Sequence, residues 1–525
     1  MRIALPGFAS GTKDDDRRSI VLLLFILLAV GLCSLLHAVS NPFWYDEICT
    51  IVVCRLSSAS EIWKALNHAA DTNPPFYYLV ARFTRQLIPE DHLGYRVPSI
   101  LGLMGTITCI YFILSRRTNR LAALVGATFV LCTPLADYAY EARPYSLMIA
   151  CISCAILAWQ RIEDSRLYAF LLAISLAAAV SLHYYAVLVF PVFMAGETSV
   201  WIFHRRFRAG AWASIVAGAL PILVFSKLLL KLRQYYGQNF WAHPSFRQIV
   251  STDSWLFNMA GNWGLVIVIG VSAVILYYSL NITAAPIQPG HKEGECKVLP
   301  IEERVLILML LWLPLMAIAV AKIGHGGMTA RYMMPTILGG ALALGYLTGK
   351  MPRAAVTLLL VLLMMYYALS SFAVLNSALT GTLLKPRIAA SHEMQTIVVE
   401  NDDSGLPVVI SNGIRYLSMT YYTPASSSRI FYSIADPAAA LRYSADKSDS
   451  VDLALLQLRQ YFPLQVEEYD GFVSRHREFL LVTDPAGGLG GGFEWLPARL
   501  IQDGNTVMLH SAKPGTNVYK VTMKP

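Results

Sequence analysis

Residues 20–39 read IVLLLFILLAVGLCSLLHAV, twenty positions without an acidic residue, a lysine or an arginine. At 1.5 Å of rise per residue a helix of that length spans about 30 Å, the hydrocarbon thickness of a bilayer. Lys13, Arg17 and Arg18 precede the run. It is too long for an ordinary secretory signal, and no clear small-residue cleavage site follows, so it predicts an uncleaved first span. Further apolar runs follow at about 97–114, 121–136, 144–160, 167–183, 184–203, 211–230, 263–280, 304–321, 331–348 and 354–375, which predicts about eleven spans. Composition agrees. Of 525 residues 55% are hydrophobic and 14% charged, against about 25% charged in soluble domains, and this excludes a single soluble globule. The net charge of +8 does not indicate nucleic-acid binding, because the basic residues sit in short loops between apolar runs, where they orient helices in the membrane.

The alternate loops differ in charge. Segments 1–19, 115–120, 161–166, 204–210, 281–303 and 349–353 hold 16 Lys and Arg in 66 residues, whereas 40–96, 136–143, 231–262 and 322–331 hold 11 in 107. The first set is assigned to the cytoplasm and the second to the outside. An odd number of spans then places the C-terminal region outside. Pro74–Leu87 is apolar but short and carries Arg82 and Arg85, which predicts an interfacial helix rather than a span. A second amphipathic stretch near Ser60–Asn67 has Ser60 as its expected N-cap. Residues 40–96 thus form a large external segment.

After residue 375 the apolar runs shrink to strand length at Leu406–Ile410, Arg429–Tyr432, Phe479–Val482 and Val507–His510, with a helical pattern at Asp452–Tyr461. Two domains are expected: a membrane domain over 1–375, with an external catalytic loop at 40–96, and an external soluble α/β domain over 376–525. The Gly-rich Gly487–Gly492 lacks the Lys-Ser/Thr of a phosphate loop and reads as a connector. The eight cysteines lie mostly inside apolar runs; Cys151 and Cys154 read as packing residues, and a bridge between Cys49 and Cys54 is compatible with their shared loop. The Asp14–Asp16 run reads as a solvated cytoplasmic tail, and the sequon Asn281-Ile282-Thr283 falls on the cytoplasmic side.

Ionisable groups are nearly missing from the span centres, which counts against an ion-coupled transporter. The acids gather at the outer surface instead: Asp46 and Glu47 after the first span, Asp71 before a Pro-Pro pair, Asp137 and Glu141 after the third. A partly desolvated carboxylate gains basicity and suits proton abstraction from a hydroxyl. Arg143, and Arg331 after the turn Gly324-His325-Gly326-Gly327, are placed to form bidentate hydrogen bonds to a lipid phosphate at headgroup depth. Tyr145 is one of several tyrosines suited to line a sugar cleft, although tyrosine is also enriched at membrane interfaces.

Tyr45-Asp46-Glu47, Asn73-Pro74-Pro75-Phe76-Tyr77-Tyr78-Leu79, Arg96-Val97-Pro98-Ser99, Glu141-Ala142-Arg143-Pro144-Tyr145 and His183-Tyr184-Tyr185 occur in one order. With this ordered set the chain resembles the GT-C membrane glycosyltransferases, in the group of protein O-mannosyltransferases, aminoarabinose transferases of lipid A and rhizobial lipopolysaccharide galacturonosyltransferases. The resemblance covers about residues 20–375. It implies a GT-C fold and an inverting transfer of sugar from a polyprenyl-phosphate donor to an outer-face acceptor, which is a lipid, a glycan or a protein hydroxyl. It implies Asp46 as catalytic base, Glu47 as the adjacent acid that binds acceptor or orients Asp46, Glu141 as the second acid, and Arg331 as a donor-phosphate ligand. Arg143 and His183 carry over as further substrate ligands, and Asp71 faces an acceptor cleft or caps a turn. Asn73 departs from the histidine of many relatives, so no imidazole role carries over there.

Metal ligands drawn from Glu141, Asp137, His183 or His325 are scattered without ligand spacing, so no cofactor is expected by default; a divalent metal is not indicated, and its use is left open. The localisation expected is a bacterial cytoplasmic membrane, multi-pass, with the N-terminus inside and the C-terminal domain outside. The competing class is a flippase or transporter of lipid-linked saccharides, which shares a basic phosphate site but should show repeated halves or broken mid-bilayer helices. A partner-binding scaffold is a third.

Overall fold

The structure, a computed structural model, describes residues 13–236, 239, 241–282, 299–324, 327–401, 405–423, 431–484, 491–513 and 515–524. It opens with α1 (Lys13–Ser40), followed by α2 (Tyr45–Cys54), α3 (Ala59–Asn67), α4 (Phe76–Leu87) and the short α5 (Asp91–Gly94), which together fold the 40–96 segment. The membrane helices continue with α6 (Val97–Ser115), α7 (Arg120–Phe129), α8 (Tyr145–Gln160), α9 (Arg166–Leu182), α10 (Val189–His204) and α11 (Ala209–Tyr236). A short helix, α12 (Gln248–Leu256), precedes α13 (Trp263–Ile282), α14 (Ile301–Leu311), α15 (Leu313–Gly324), α16 (Pro335–Thr348) and α17 (Arg353–Ser370).

Each of the eleven apolar runs carries a helix. Among the described residues five stretches are long and apolar enough to cross a bilayer: Asp16–Ser40, Asp91–Ser115, Tyr184–His204, Ala209–Tyr236 and Arg353–Ser370. Two more are bent pairs, Arg120–Cys132 with Pro134–Tyr140 at 69° and Ile301–Leu311 with Leu313–Ile323 at 57°. Tyr145–Gln160, Arg166–Leu182, Trp263–Tyr277 and Pro335–Thr348 are shorter apolar helices. The first bend has a local cause. Thr133 precedes Pro134 and is extended, at φ −121° and ψ 164°, because a following proline disfavours the helical region. A run read as one straight span therefore turns before Asp137 and delivers Glu141 and Arg143 beside α2.

Three local expectations change. Ser58, not Ser60, caps α3 and accepts the Glu61 N–H at 3.2 Å, because the helix begins two residues earlier. Cys49 and Cys54 are free thiols buried in α2, where packing rather than a bridge holds them. Asp16 lies in the first turns of α1 and pairs with Arg120 at 2.8 Å instead of remaining solvated.

α18 (Phe372–Leu379) and α19 (Lys385–Asn401) lead into a six-stranded sheet. Its strands are β1 (Val408–Ile410), β2 (Phe431–Ile434), β3 (Val466–Glu467), β4 (Glu478–Thr483), β5 (Thr506–Lys513) and β6 (Thr516–Thr522), in the order β3-β2-β1-β4-β6-β5. The first four are parallel, with Val408 opposite both Phe431 and Leu480; β6 runs antiparallel to β4 and to β5. Helices α20 (Gly413–Tyr422), α21 (Pro437–Tyr443), α22 (Ser450–Leu458), α23 (Tyr469–Arg475) and α24 (Leu496–Gln502) cover it. The fully buried Val-Val-Ile of β1 matches a parallel strand covered on both faces. β3 is two residues long, and β6 buries only Val518 and Val521 of its seven residues, so neither stands out as an apolar run.

The sheet domain sits on the 40–96 helices. Arg55 donates to Tyr421 Oη at 2.8 Å, His92 Nε2 lies 2.9 Å from Tyr422 Oη, and Arg387 pairs with Glu90 at 3.2 Å. His68 Nδ1 meets Tyr461 Oη at 3.0 Å. Gly487–Gly490, His325 and Thr283 lie outside the described residues.

Candidate active site

α2 is built to present one acid and bury the next. Trp44 is extended, and its N–H donates to Glu47 Oε2 at 3.3 Å, which closes the first turn. Glu47 is fully buried. Its carboxylate takes Arg96 Nε at 2.8 Å and Nη2 at 2.7 Å, and Oε1 also accepts the Ala142 N–H at 2.6 Å. Arg96 donates its remaining N–H groups to the carbonyls of Ala38 at 2.7 Å, Asn41 at 2.8 Å and Pro42 at 3.2 Å. All five guanidinium N–H bonds are thus used, the condition under which a buried ion pair is tolerated. The pair staples the end of α1, the start of α2 and the Glu141–Ala142 strand of chain together.

Asp46, one residue earlier, faces the other way. Its Oδ2 lies 2.8 Å from Arg331 Nη1 and 3.7 Å from Arg143 Nη2, and the side chains of Asp46 and Arg331 keep 17% and 18% exposure. Arg143 is buried and donates through Nη1 to the Asp46 carbonyl at 3.0 Å and to Thr50 Oγ1 at 2.8 Å. Thr50 passes its own proton to Asp71 Oδ2 at 3.0 Å, which also sits 3.7 Å from Arg143. Arg331 comes from a short 3-10 turn, Ala330–Met333, and lies over the Trp44 ring at 5.9 Å.

Glu141 completes the group from the loop before α8. Burial first, then the charge of Glu47, pushes its carboxyl up to about 8, and Arg143 pulls the other way. Its Oε2 is buried without a hydrogen-bond partner among the described residues, as are Tyr145 Oη, Arg143 Nε and Arg331 Nε. Tyr145 lies under Arg143 at 5.9 Å and 5.2 Å from the His183 ring. His183 caps the turn after α9 by accepting the Tyr185 N–H at 3.2 Å and packs on Tyr332 at 5.1 Å. Buried polar atoms are rarely left unpaired, and four on neighbouring side chains indicate a surface shaped for polar groups that the chain does not supply.

Of the residues singled out in the sequence, Asp46, Asp71, Glu141, Arg143, Tyr145, His183 and Arg331 come together. Glu47 does not face them: the geometry gives it a bracing place with Arg96. Arg96 stands in the ordered set of motifs but carried no assigned role there, and Thr50 and Trp44 were not singled out; an arginine at the head of a span needs an acid, which was the available signal for pairing Arg96 with Glu47. Among the described residues no three His, Cys, Asp or Glu side chains converge as metal ligands.

Residues 72–230 match the family described as dolichyl-phosphate-mannose-protein mannosyltransferase. The matched segment contains Asn73–Leu79, Glu141–Tyr145 and His183–Tyr185. No curated protein matches the sequence. By structure the chain is similar to ArnT from Cupriavidus metallidurans bound to undecaprenyl phosphate, at 12% identity and a TM-score of 0.53, over 95% of this chain and 97% of that one. The apo form of the same protein gives 12%, 0.55, 96% and 98%. The apo oligosaccharyltransferase of Archaeoglobus fulgidus gives 10% and 0.44, over 88% of this chain and 69% of that one. The fold is that of a GT-C membrane protein. Within that class it is the ArnT-like arrangement, a polytopic helical body with a small mixed-sheet domain at its C-terminal end.

Proposed function

We propose that this protein is an inverting glycosyltransferase that moves a sugar from a polyprenyl-phosphate donor to an envelope hydroxyl at the outer face of a bacterial cytoplasmic membrane. The observation that carries the reading is Asp46, a partly exposed carboxylate held between the guanidiniums of Arg331 and Arg143. The fold shared with a protein solved with undecaprenyl phosphate supports the donor class. The excess of Lys and Arg in one set of loops supports an inside N-terminus and an outside sheet domain.

The chemistry runs as a single displacement. The acceptor O–H gives its proton to Asp46 while its oxygen bonds to the anomeric carbon. The bond from that carbon to the phosphate oxygen breaks, and the departing polyprenyl phosphate keeps the electron pair. Arg331 and Arg143 stabilise the charge that develops on it. Without donor, Arg331 pairs with Asp46; an arriving phosphate competes for that guanidinium and leaves Asp46 a stronger base. Attack opposite the leaving group inverts the centre, and no covalent nucleophile is needed. Asp71 and Thr50 hold Arg143 in place. The reading assigns no step to a metal or other cofactor, and lipid A, another glycan and a protein hydroxyl are the acceptor classes it admits.

The test is transfer of labelled sugar from a panel of polyprenyl-phosphate sugars to a bacterial envelope extract, in membranes holding the wild-type chain or Asp46→Asn. Turnover in the wild type that vanishes in Asp46→Asn, with donor binding kept, is the expected result. An equally active variant, or a wild type that binds donor without consuming it, would overturn the reading.

A further inference from the structure

A cavity of about 400 Å³ opens where α3, the C-terminal end of α11 and α22 meet. Its volume falls in the range of small-ligand sites. Asn67, Gln234, Gln457 and Gln460 contribute four carboxamides to its wall, with His68, Tyr235 and Lys231, and among the described residues no Asp or Glu lines it. A carboxamide offers a donor and an acceptor side by side, the complement of neighbouring hydroxyls on a sugar ring. The wall is partly ordered in advance: Gln457 Nε2 donates to Tyr235 Oη at 2.7 Å, and Gln460 Nε2 donates to Gln457 Oε1 at 3.0 Å.

The cavity also backs onto the candidate active site. Tyr236, buried beside Tyr235, donates its hydroxyl to the Ala69 carbonyl at 3.0 Å. Ala69 lines the cavity and is held at φ 57°, a left-handed conformation that costs an L-residue energy. Two residues on, Asp71 accepts from Thr50, the partner of Arg143. One short piece of chain therefore forms the wall of the cavity on one side and part of the charged cluster on the other. α11 is a candidate span, and the cavity lies at its C-terminal end, beside Tyr235.

We propose that this cavity is an acceptor subsite that takes a hydroxyl-rich saccharide bearing a negative charge. The proposal rests on the transferase reading and adds the class of acceptor. The carboxamides bind ring hydroxyls, Lys231 selects an anionic substituent, and the bound ring presents its chain or lipid past Ala69 toward Asp46. A saccharide on a lipid and a free polysaccharide share this chemistry.

The experiment uses the full chain in neutral-lipid nanodiscs, with D-glucuronate and D-glucose as probes that differ only at C6, and ligand-observed NMR as readout. In the wild type glucuronate should bind about threefold to fivefold more tightly than glucose, as expected for one exposed ion pair. Lys231→Met should erase that preference and keep glucose binding. Gln234→Ala combined with Gln460→Ala should weaken both sugars at least about tenfold, while unchanged thermal unfolding shows that the fold is kept. Asp46→Asn should leave both probes unaffected. In the transfer assay the double variant should raise the KM for acceptor and not for donor, and running glycolipid and delipidated polysaccharide in parallel shows which source is used. Wild type that binds neither probe, or a double variant with unchanged binding and unchanged acceptor KM, would overturn the subsite. A wild type that binds donor without consuming it, with normal probe binding, would instead overturn the transferase reading alone.

Discussion

Arg331 and Asp46, from opposite ends of the membrane domain, lie 2.8 Å apart, both partly exposed. Removing a cation aimed at developing negative charge typically costs about 10²–10³ in rate. Arg331→Ala should lower kcat/KM for the lipid-linked donor by that factor. Arg331→Lys should recover only part, because an ammonium cannot grip phosphate in two places. Initial rates with labelled donor decide it, and an Arg331→Ala enzyme of normal rate would remove Arg331 from the mechanism.

Glu141 is the acid that the local arginines do not neutralise, and its carboxyl titrates at about 8 instead of 4.5. The pH profile of kcat/KM should carry an ionisation near 8 that Glu141→Gln removes. Stability should follow the same group. Between about pH 4.5 and 8 the folded state holds a proton that the unfolded chain has released, so this contribution to stability falls as pH rises and levels off above about 8. Unfolding temperatures across that window, compared between wild type and Glu141→Gln, should show the decline in wild type only.

Glu47 and Arg96 are exposed by 0% and 1% of their side chains, so neither can turn to water if its partner is lost. Glu47→Gln should destabilise by about 3–5 kcal/mol, the usual cost of leaving one buried charge unpaired. A role confined to proton transfer predicts instead an enzyme of normal stability and low rate. Detergent-solubilised unfolding alongside the transfer assay separates the two.

Tyr422, at the end of α20, accepts the Phe43 N–H, and its O–H is then directed to His92 Nε2 at 2.9 Å. This ties the sheet domain to the peptide that leads into α2. Tyr422→Phe should leave the Phe43 N–H without its partner, cost about 1–3 kcal/mol locally and speed amide exchange across residues 41–47. Exchange confined to the sheet domain would show that the clasp does not reach the catalytic helix.

Much of the membrane body was readable because hydrocarbon imposes one rule on every span: some twenty apolar residues with backbone bonds closed inside the helix. Each expected run carries a helix, and the strands β1 and β4 stand out as apolar runs for a related reason, burial on both faces. The bend at Thr133–Pro134 was less visible, since a proline in an apolar run can either kink a span or end it. β6 escaped notice because only Val518 and Val521 of its seven residues are buried, which leaves no apolar run.

The sequence by itself determined that the chain lives in a membrane, that its acids collect at one surface, and which acids and arginines stand in an ordered set. These follow from local composition and from the cost of charge in lipid. Only the tertiary structure decided which of two adjacent acids stays partly exposed. Asp46 and Glu47 are neighbours on the first turn of α2 and differ by about 100° around the helix axis, so the partners waiting on each side assign their places: Arg331 and Arg143 for Asp46, Arg96 and the Ala142 N–H for Glu47. Those partners arrive from α6, from the loop after a broken span and from the turn before α16, and no spacing along the chain encodes their meeting.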